Sequence, residues 1–543
     1  MYPPDALPNR AVASSECCSR GRRDRAVRLS IARRCTAHKT YFQPPPQLPK
    51  PRRRILRAIL YGAACIGVGV GLSNMVSIGV IVKLLGAHDH YRIAERASQD
   101  AVRIHFARTV GPLSLQQCQR ALELGASLTL VPKAAAHMCQ LPSNAICEDF
   151  FGSNNYNVSG EATTNWFTWS LFDGHAGPRT ATLLASDLVQ HVGHELLRTH
   201  CFGRPYRPSD PYIADVLKKA FLQFDEKIVN AGLEHVRSGE PSRAGVVAGA
   251  AAAFSGSCAL VAFFDPVQNV LRVANTGDSR AVLGRWDERE ARYVARPLSV
   301  DQTGFNEKEA ARIAQEHPGE DVVDPKTGRV HGIAVSREFG DARWKWPQEA
   351  TKRAHDLFWG PSPRPDSMVQ TPPYLTAEPE VTETVLQLGE HPDFMIMASD
   401  GLWDNMSSEN AVTCVQLWLD ANHPVDPIKK ASGRGRLSQL WSRSKAQALA
   451  ERGNPFVAKD DDDDDVYFDE SEQSLRWRVT PKHFVVEDDQ CGVHLIKNAL
   501  GGKRRDLFTG VMSVQPPLSR MVRDDITVQV VFFGEDMEKA MKR

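Results

Sequence analysis

Three near-continuous apolar runs punctuate the chain: TNWFTWSLF (164–172), DFMIMAS (393–399) and ITVQVVFF (526–533). Each is too short for an ordinary helix and rich in aromatic or β-branched residues. Each therefore predicts a strand buried on both faces. A helix-period pattern stands at SLQQCQRALELGA (114–126), and strand-like and helical runs then alternate irregularly to the C-terminus. The stretch between Asp404 and Asp524 follows neither period. It contains six consecutive aspartates, Asp460–Asp465, which read as a solvated loop. Near the N-terminus, Ala58–Val82 is an uncharged run of 25 residues, long enough to cross a bilayer as a helix.

Acidic motifs abut the apolar runs. Asp173-Gly174-His175 follows the first, Asp400-Gly401 with Asp404 follows the second, and Arg523-Asp524-Asp525 precedes the third. A fourth pair, Glu148-Asp149, lies upstream. An ionised carboxylate at the end of a buried strand is costly unless something positive faces it. Several that converge would repel one another unless metal ions neutralise them. Oxygen donors without Cys or His clusters favour hard cations, so Mg²⁺ or Mn²⁺ rather than Zn²⁺.

Composition adds two points. Net charge is +1 over 543 residues, so the whole molecule has no basic bias toward nucleic acid. Residues 1–57, however, carry fourteen Lys/Arg against three Asp/Glu. That Arg-rich, acid-poor segment has the composition of a mitochondrial transit peptide. The eleven cysteines show no CxxC spacing, which predicts reduced, mostly buried thiols.

The motifs occur in a recognisable order: Glu148-Asp149, LFDGHAG (171–177), GSCALVAFF (256–264), VANTGDSRAVLG (273–284), GIAVSREFGD (332–341), LTAEPEV (375–381), FMIMASDGLWDNM (394–406) and RDDITVQVVFF (523–533). Over residues 145–533 the chain resembles the metal-dependent protein serine/threonine phosphatases of type 2C. Within them it is most similar to the mitochondrial pyruvate dehydrogenase phosphatase branch. Asn144, the segments LSVDQTGFNEKEAARIAQEHPGE (298–320) and FGDARWKW (339–346), and QCGVHLIKNALGG (490–502) carry that closer likeness. Phe150-Phe151 departs from it, where the branch has arginine after the two acids.

The resemblance implies a four-layer αββα sandwich, two antiparallel sheets flanked by helices. It would be preceded by a targeting segment and a candidate membrane-spanning helix. The implied organisation is a basic targeting and Pro/Arg-rich segment (1–57), the apolar helix (58–82), a linker (83–115) and a phosphatase domain (116–543) with a long insertion at about 415–510. Asp173 resembles the carboxylate that bridges two metal ions, and the Gly174 carbonyl a ligand of one of them. Asp400 and Asp524 resemble ligands of the other. Glu148 would hold a metal or its water, with Asp149 beside it. Asp278 and Asp404, with Asp400, resemble the holders of a third, weaker ion. His175 resembles the general acid. Asp341 and Asp525 read as structural. Catalysis would be attack of a metal-activated water on a phosphoserine or phosphothreonine, with no phosphoenzyme. The implied partner is a phosphorylated mitochondrial protein, with pyruvate dehydrogenase as first candidate. The apolar N-terminal helix separately suggests association with the inner membrane, the domain facing either the matrix or the intermembrane space. The competing readings are an inactive pseudophosphatase that binds phosphoproteins and a membrane-tethered scaffold.

Overall fold

The computed structural model describes residues 111–156, 165–422, 466–469 and 474–535. The basic segment, the apolar run 58–82 and the aspartate block 460–465 lie outside these residues. No helix among the described residues is long and apolar enough to cross a membrane.

The strands in chain order are β1 Ala126–Val131, β2 Ala134–Leu141, β3 Phe150–Tyr156, β4 Trp166–Phe172, β5 Gly174–His175, β6 Gly256–Ser257, β7 Ala259–Asp265, β8 Val270–Thr276, β9 Arg280–Asp287, β10 Arg292–Pro297, β11 Phe339–Gly340, β12 Glu380–Val385, β13 Phe394–Ala398, β14 Val466–Asp469, β15 Ser474–Trp477 and β16 Ile526–Phe533. One sheet has the order β1-β2-β16-β13-β9-β10, and a second β12-β8-β7-β4-β3. Every pairing in both is antiparallel. The three apolar runs become β4, β13 and β16, as their pattern predicts.

Their continuous hydrophobicity has a clear cause. Side chains alternate across a strand, and here both faces are covered. Met395 and Met397 of β13, Val531 and Phe533 of β16, and Phe167, Trp169 and Leu171 of β4 meet in the core between the sheets. Phe394, Ile396, Ile526, Val528, Val530 and Phe532 point the other way, into a layer built with the helices Leu115–Leu124, Ser408–Asn422, Cys491–Ala499 and Arg505–Ser513. Trp166 and Phe172 face the opposite outer layer. There the helices Val189–Arg198, Tyr212–Ser238, Arg243–Phe254 and Gln348–Phe358 cover the second sheet. The result is helix, sheet, sheet, helix.

The helix expected at 114–126 runs from Leu115 to Leu124, with Ser114 and Gln117 forming a reciprocal N-terminal capping box. The stretch after Asp404 is better integrated than its pattern suggests. Trp477, Val479, Phe484, Cys491, Val493, Leu495, Ile496 and Ala499 all enter the core of the first outer layer. The helix Cys491–Ala499 is buried along its whole length, and its polar residues His494, Lys497 and Asn498 are satisfied inside the protein rather than by water. The seven cysteines among the described residues are free and buried.

Candidate metal centre

The ends of the central strands bring the acids together. Asp173 leaves the end of β4, and its carbonyl accepts the Cys258 amide at 2.8 Å. Asp400 follows Ser399, which stays extended after β13 before the short helix Asp400–Trp403 begins. Asp278 sits in the turn between β8 and β9, where Gly277 takes φ 109°. Carboxylate oxygens of Asp173, Asp278 and Asp400 all lie within 4.8 Å of one another.

Such crowding raises carboxyl pKa values. Burial, then the charges of Asp400, Asp149 and Asp278, push Asp173 well above the usual range. Burial and the Asp278 charge push Asp400 up to about 7. Asp149 is also pushed up to about 7 by burial and Asp525, against hydrogen bonds from Ser399 and Thr527. Burial raises Asp278 as well. Asp149 Oδ2 and Asp400 Oδ1 are buried oxygens with no hydrogen-bond partner. Hard oxygen donors, mutual repulsion and unpartnered lone pairs together fit a divalent cation site.

The remaining acids surround this cluster in distinct ways. Glu148 accepts from Asn144 Nδ2 at 2.9 Å through Oε2 and from the Gly177 amide at 2.6 Å through Oε1. A Cβ on Gly174 would lie 2.5 Å from the Glu148 carbonyl oxygen. Only glycine lets those two backbones meet. The Asp524 carboxylate forms an ion pair with Arg520 and accepts the Asp525 amide at 2.6 Å. Asp404 stands one turn beyond Asp400, exposed, with Arg476 at 3.9 Å. Its carboxylate is outside the three-acid group.

Asp525 organises the loop that carries Glu148. It accepts from the amides of Ser143 and Asn144, from Ser143 Oγ at 2.9 Å, and from the Glu148 amide at 2.8 Å. The structural reading of Asp525 thus acquires a specific content.

His175 is placed by the small sheet β11-β6-β5. It pairs with Gly256 on one side of β6, and Gly340 pairs with Gly256 on the other. The ring's Nε2 reaches Asp341 Oδ2 at 2.5 Å and Glu338 Oε2 at 3.3 Å. Asp341 adopts φ 42°, a left-handed conformation that is costly for a non-glycine residue and concentrates at functional positions. Burial pushes the imidazole pKa down, but the Asp341 carboxylate outweighs it, and the net shift is upward. Glu338 is fully buried, and burial with the Asp341 charge raises its pKa well above normal. Sequence reasoning assigned Asp341 only a structural part and passed over Glu338. Both lie in the GIAVSREFGD motif, and two acids three residues apart in a largely apolar, glycine-bearing segment were the available signal.

Comparison with known proteins agrees with this geometry. Residues 143–439 match the family model described as Protein phosphatase 2C. A protein phosphatase 2C homologue of Schizosaccharomyces pombe is 38% identical over 401 residues, covering 73% of this chain and 79% of its own. The mitochondrial pyruvate dehydrogenase [acetyl-transferring] phosphatase 1 of Saccharomyces cerevisiae is 33% identical over 415 residues, 73% of this chain and 68% of its own. The human protein of the same description is 33% identical over 297 residues, 52% of this chain and 48% of its own. With strand ends converging on an acidic cluster and the matched segment spanning more than half its length, this chain belongs to the protein phosphatase 2C family of metal-dependent protein serine/threonine phosphatases.

Proposed function

We propose that this phosphatase hydrolyses phosphoserine and phosphothreonine in mitochondrial proteins, with pyruvate dehydrogenase as the first candidate substrate. The observation that carries the reaction is the convergence of Asp173, Asp278 and Asp400 beside the His175–Asp341 pair. The substrate class rests on the relatives from two yeasts and human, two of which are described as mitochondrial pyruvate dehydrogenase phosphatases. The Arg-rich N-terminus supports the compartment, and the 58–82 run supports attachment to a membrane there.

Asp173, the Gly174 carbonyl, Asp400 and Asp524 would hold two Mg²⁺ or Mn²⁺ ions, with Glu148 and Asp149 alongside and Asp278 and Asp404 serving a third. When bound, the ions would activate water and offset charge on the phosphoryl oxygens. The protein's own residues do the rest. Asn144 and the Gly177 amide hold both oxygens of Glu148 in place. Asp341 anchors His175 through Nε2, which leaves Nδ1 to deliver a proton to the departing serine or threonine oxygen. Asp341, with the charges of Asp278 and Glu148 behind it, favours the protonated imidazole that such donation requires.

The test is phosphate release from a phosphoserine peptide by the full chain with Mg²⁺, Mn²⁺ or EDTA. Asp173→Asn and Asp400→Asn are assayed alongside. Metal-dependent release abolished by either substitution supports the reading. A folded, metal-loaded chain that binds the peptide without releasing phosphate would instead establish a pseudophosphatase. Protease protection of the domain in mitoplasts is expected if it faces the matrix, and digestion would overturn that placement.

A further inference from the structure

Two arginines stand apart from every ion pair seen among the described residues. Arg343 lies in the turn Ala342–Trp344 and Arg364 in the segment after the helix Gln348–Phe358. Both guanidinium groups pack on one indole, with Arg343 Cζ 4.9 Å and Arg364 Cζ 5.3 Å from the Trp344 ring centroid. The Nε of each is buried without a hydrogen-bond partner. Burial lowers the pKa of both, and Arg364's charge lowers that of Arg343 further. The acid that faces Arg343 at longer range, Asp341, is already held by His175.

Two like charges held on one indole, close enough for one to lower the other's pKa and partly stripped of water, are costly unless an anion joins them. Natural proteins place paired, stacked guanidinium groups where carboxylate or phosphate must be gripped. The backbone makes room for this arrangement. A Cβ on Gly332, whose φ is 89°, would fall 2.6 Å from Arg364 Nη2, so any other residue there would displace the guanidinium. Trp344 is itself fixed, since its Nε1 donates to the His331 carbonyl at 3.4 Å and its amide to the Asp341 carbonyl at 3.0 Å.

We propose that Arg343 and Arg364, stacked on Trp344, form a second anion-binding subsite, which takes a carboxylate or phosphoryl group close in sequence to the scissile phosphoserine. Arg343 is two residues from Asp341, so at most about 7 Å of chain separates it from the residue that anchors His175. Trp344 also packs in the same cluster as Cys258, whose Sγ donates to Asp278 Oδ1 at 3.3 Å. The subsite therefore borders the metal centre. It deepens the function proposed above and rests on it for the identity of the ligand-bearing chain.

The experiment compares the full chain with an Arg343→Gln/Arg364→Gln double variant in Mn²⁺. Three phosphoserine peptides are used, identical except for flanking Asp, a flanking second phosphoserine, or Ala. The small ester p-nitrophenyl phosphate is the fourth substrate. The double variant is expected to raise KM about tenfold or more for the anion-bearing peptides, the loss of a charge-assisted pair. The Ala peptide and the small ester should change less than twofold. The larger loss between the Asp and second-phosphoserine arms identifies which anion is the natural one. Arg364→Glu should reverse the preference toward a peptide with flanking Lys. Equal loss on all four substrates, or none on any, would overturn the subsite. Binding of the Asp peptide in EDTA, followed by fluorescence anisotropy, separates the two proposals. Arginine-dependent binding with no turnover in Mn²⁺ would sink the phosphatase reading and leave the subsite standing. Turnover with arginine-independent binding would sink the subsite alone.

Discussion

Gly256 is the residue over which His175 and Asp341 meet. A Cβ there would sit 2.5 Å from His175 Nε2 and 2.6 Å from Asp341 Oδ2. Gly256→Ala should therefore spread the pair and lower kcat about 100-fold, the scale of a misplaced catalytic group. Its melting temperature should stay within a few degrees, since the His175 side chain, 32% exposed, can give way toward solvent. A wild-type kcat would refute this role for the glycine. At the neighbouring cluster, Asp400→Asn removes one of three crowded charges. It should raise the melting temperature of the EDTA-treated chain while abolishing metal-dependent turnover, and calorimetry and phosphate release check the two halves separately. A drop in EDTA stability would mean that Asp400 is better satisfied than its unpartnered Oδ1 implies.

At the scale of elements, the acidic loop before β3 and the entry to β16 form one unit because Asp525 ties them. Its carboxylate serves three backbone amides and one hydroxyl. It also faces Arg523, a buried guanidinium whose pKa burial lowers to about 10 against the pull of Asp525. Asp525→Ala would orphan those donors and leave the Arg523 charge uncompensated. The expected cost is about 3–5 kcal/mol, read as a shift in the urea midpoint. Activity should fall as well, since Glu148 rides on the loosened loop. A variant within 1 kcal/mol of wild type, a margin typical of surface changes, would show that the loop is held elsewhere.

For the whole molecule, the acidic cluster makes stability depend on pH and metal in a defined direction. Asp149 and Asp400 titrate near 7 in the fold, against about 3.9 in an unfolded chain. Their folded pKa values are raised, so their contribution is fully present below about pH 4 and is lost as pH rises through about 7. Without metal, the melting temperature should fall between pH 5.5 and pH 8 as far as these groups control it. Saturating Mn²⁺ should flatten or reverse that fall, because the ions take the place of the protons. Thermal scans in EDTA and in Mn²⁺ across this range decide it, and identical pH profiles would count against metal at the cluster.

The sequence by itself determined the three central strands β4, β13 and β16 and the family. Runs such as FMIMAS and ITVQVVFF are apolar on both parities, which only a doubly covered sheet accommodates. The acids at their ends are legible because charge beside such a run is improbable without a chemical use. The αββα layering and the expected positions of Asp173, Asp400, Glu148 and His175 followed from that order of motifs. Tertiary structure alone decided which carboxylates converge. Asp278 comes within 4.8 Å of Asp173 and Asp400, whereas Asp404, four residues from Asp400 in the chain, remains outside that group. It alone turned Asp341 from a turn residue into the anchor of His175, since the contact crosses β6 and spans 166 residues. It also put Arg343 and Arg364 on one indole. Local periodicity reports which face a residue occupies, and it cannot report which distant side chain shares the space in front of it.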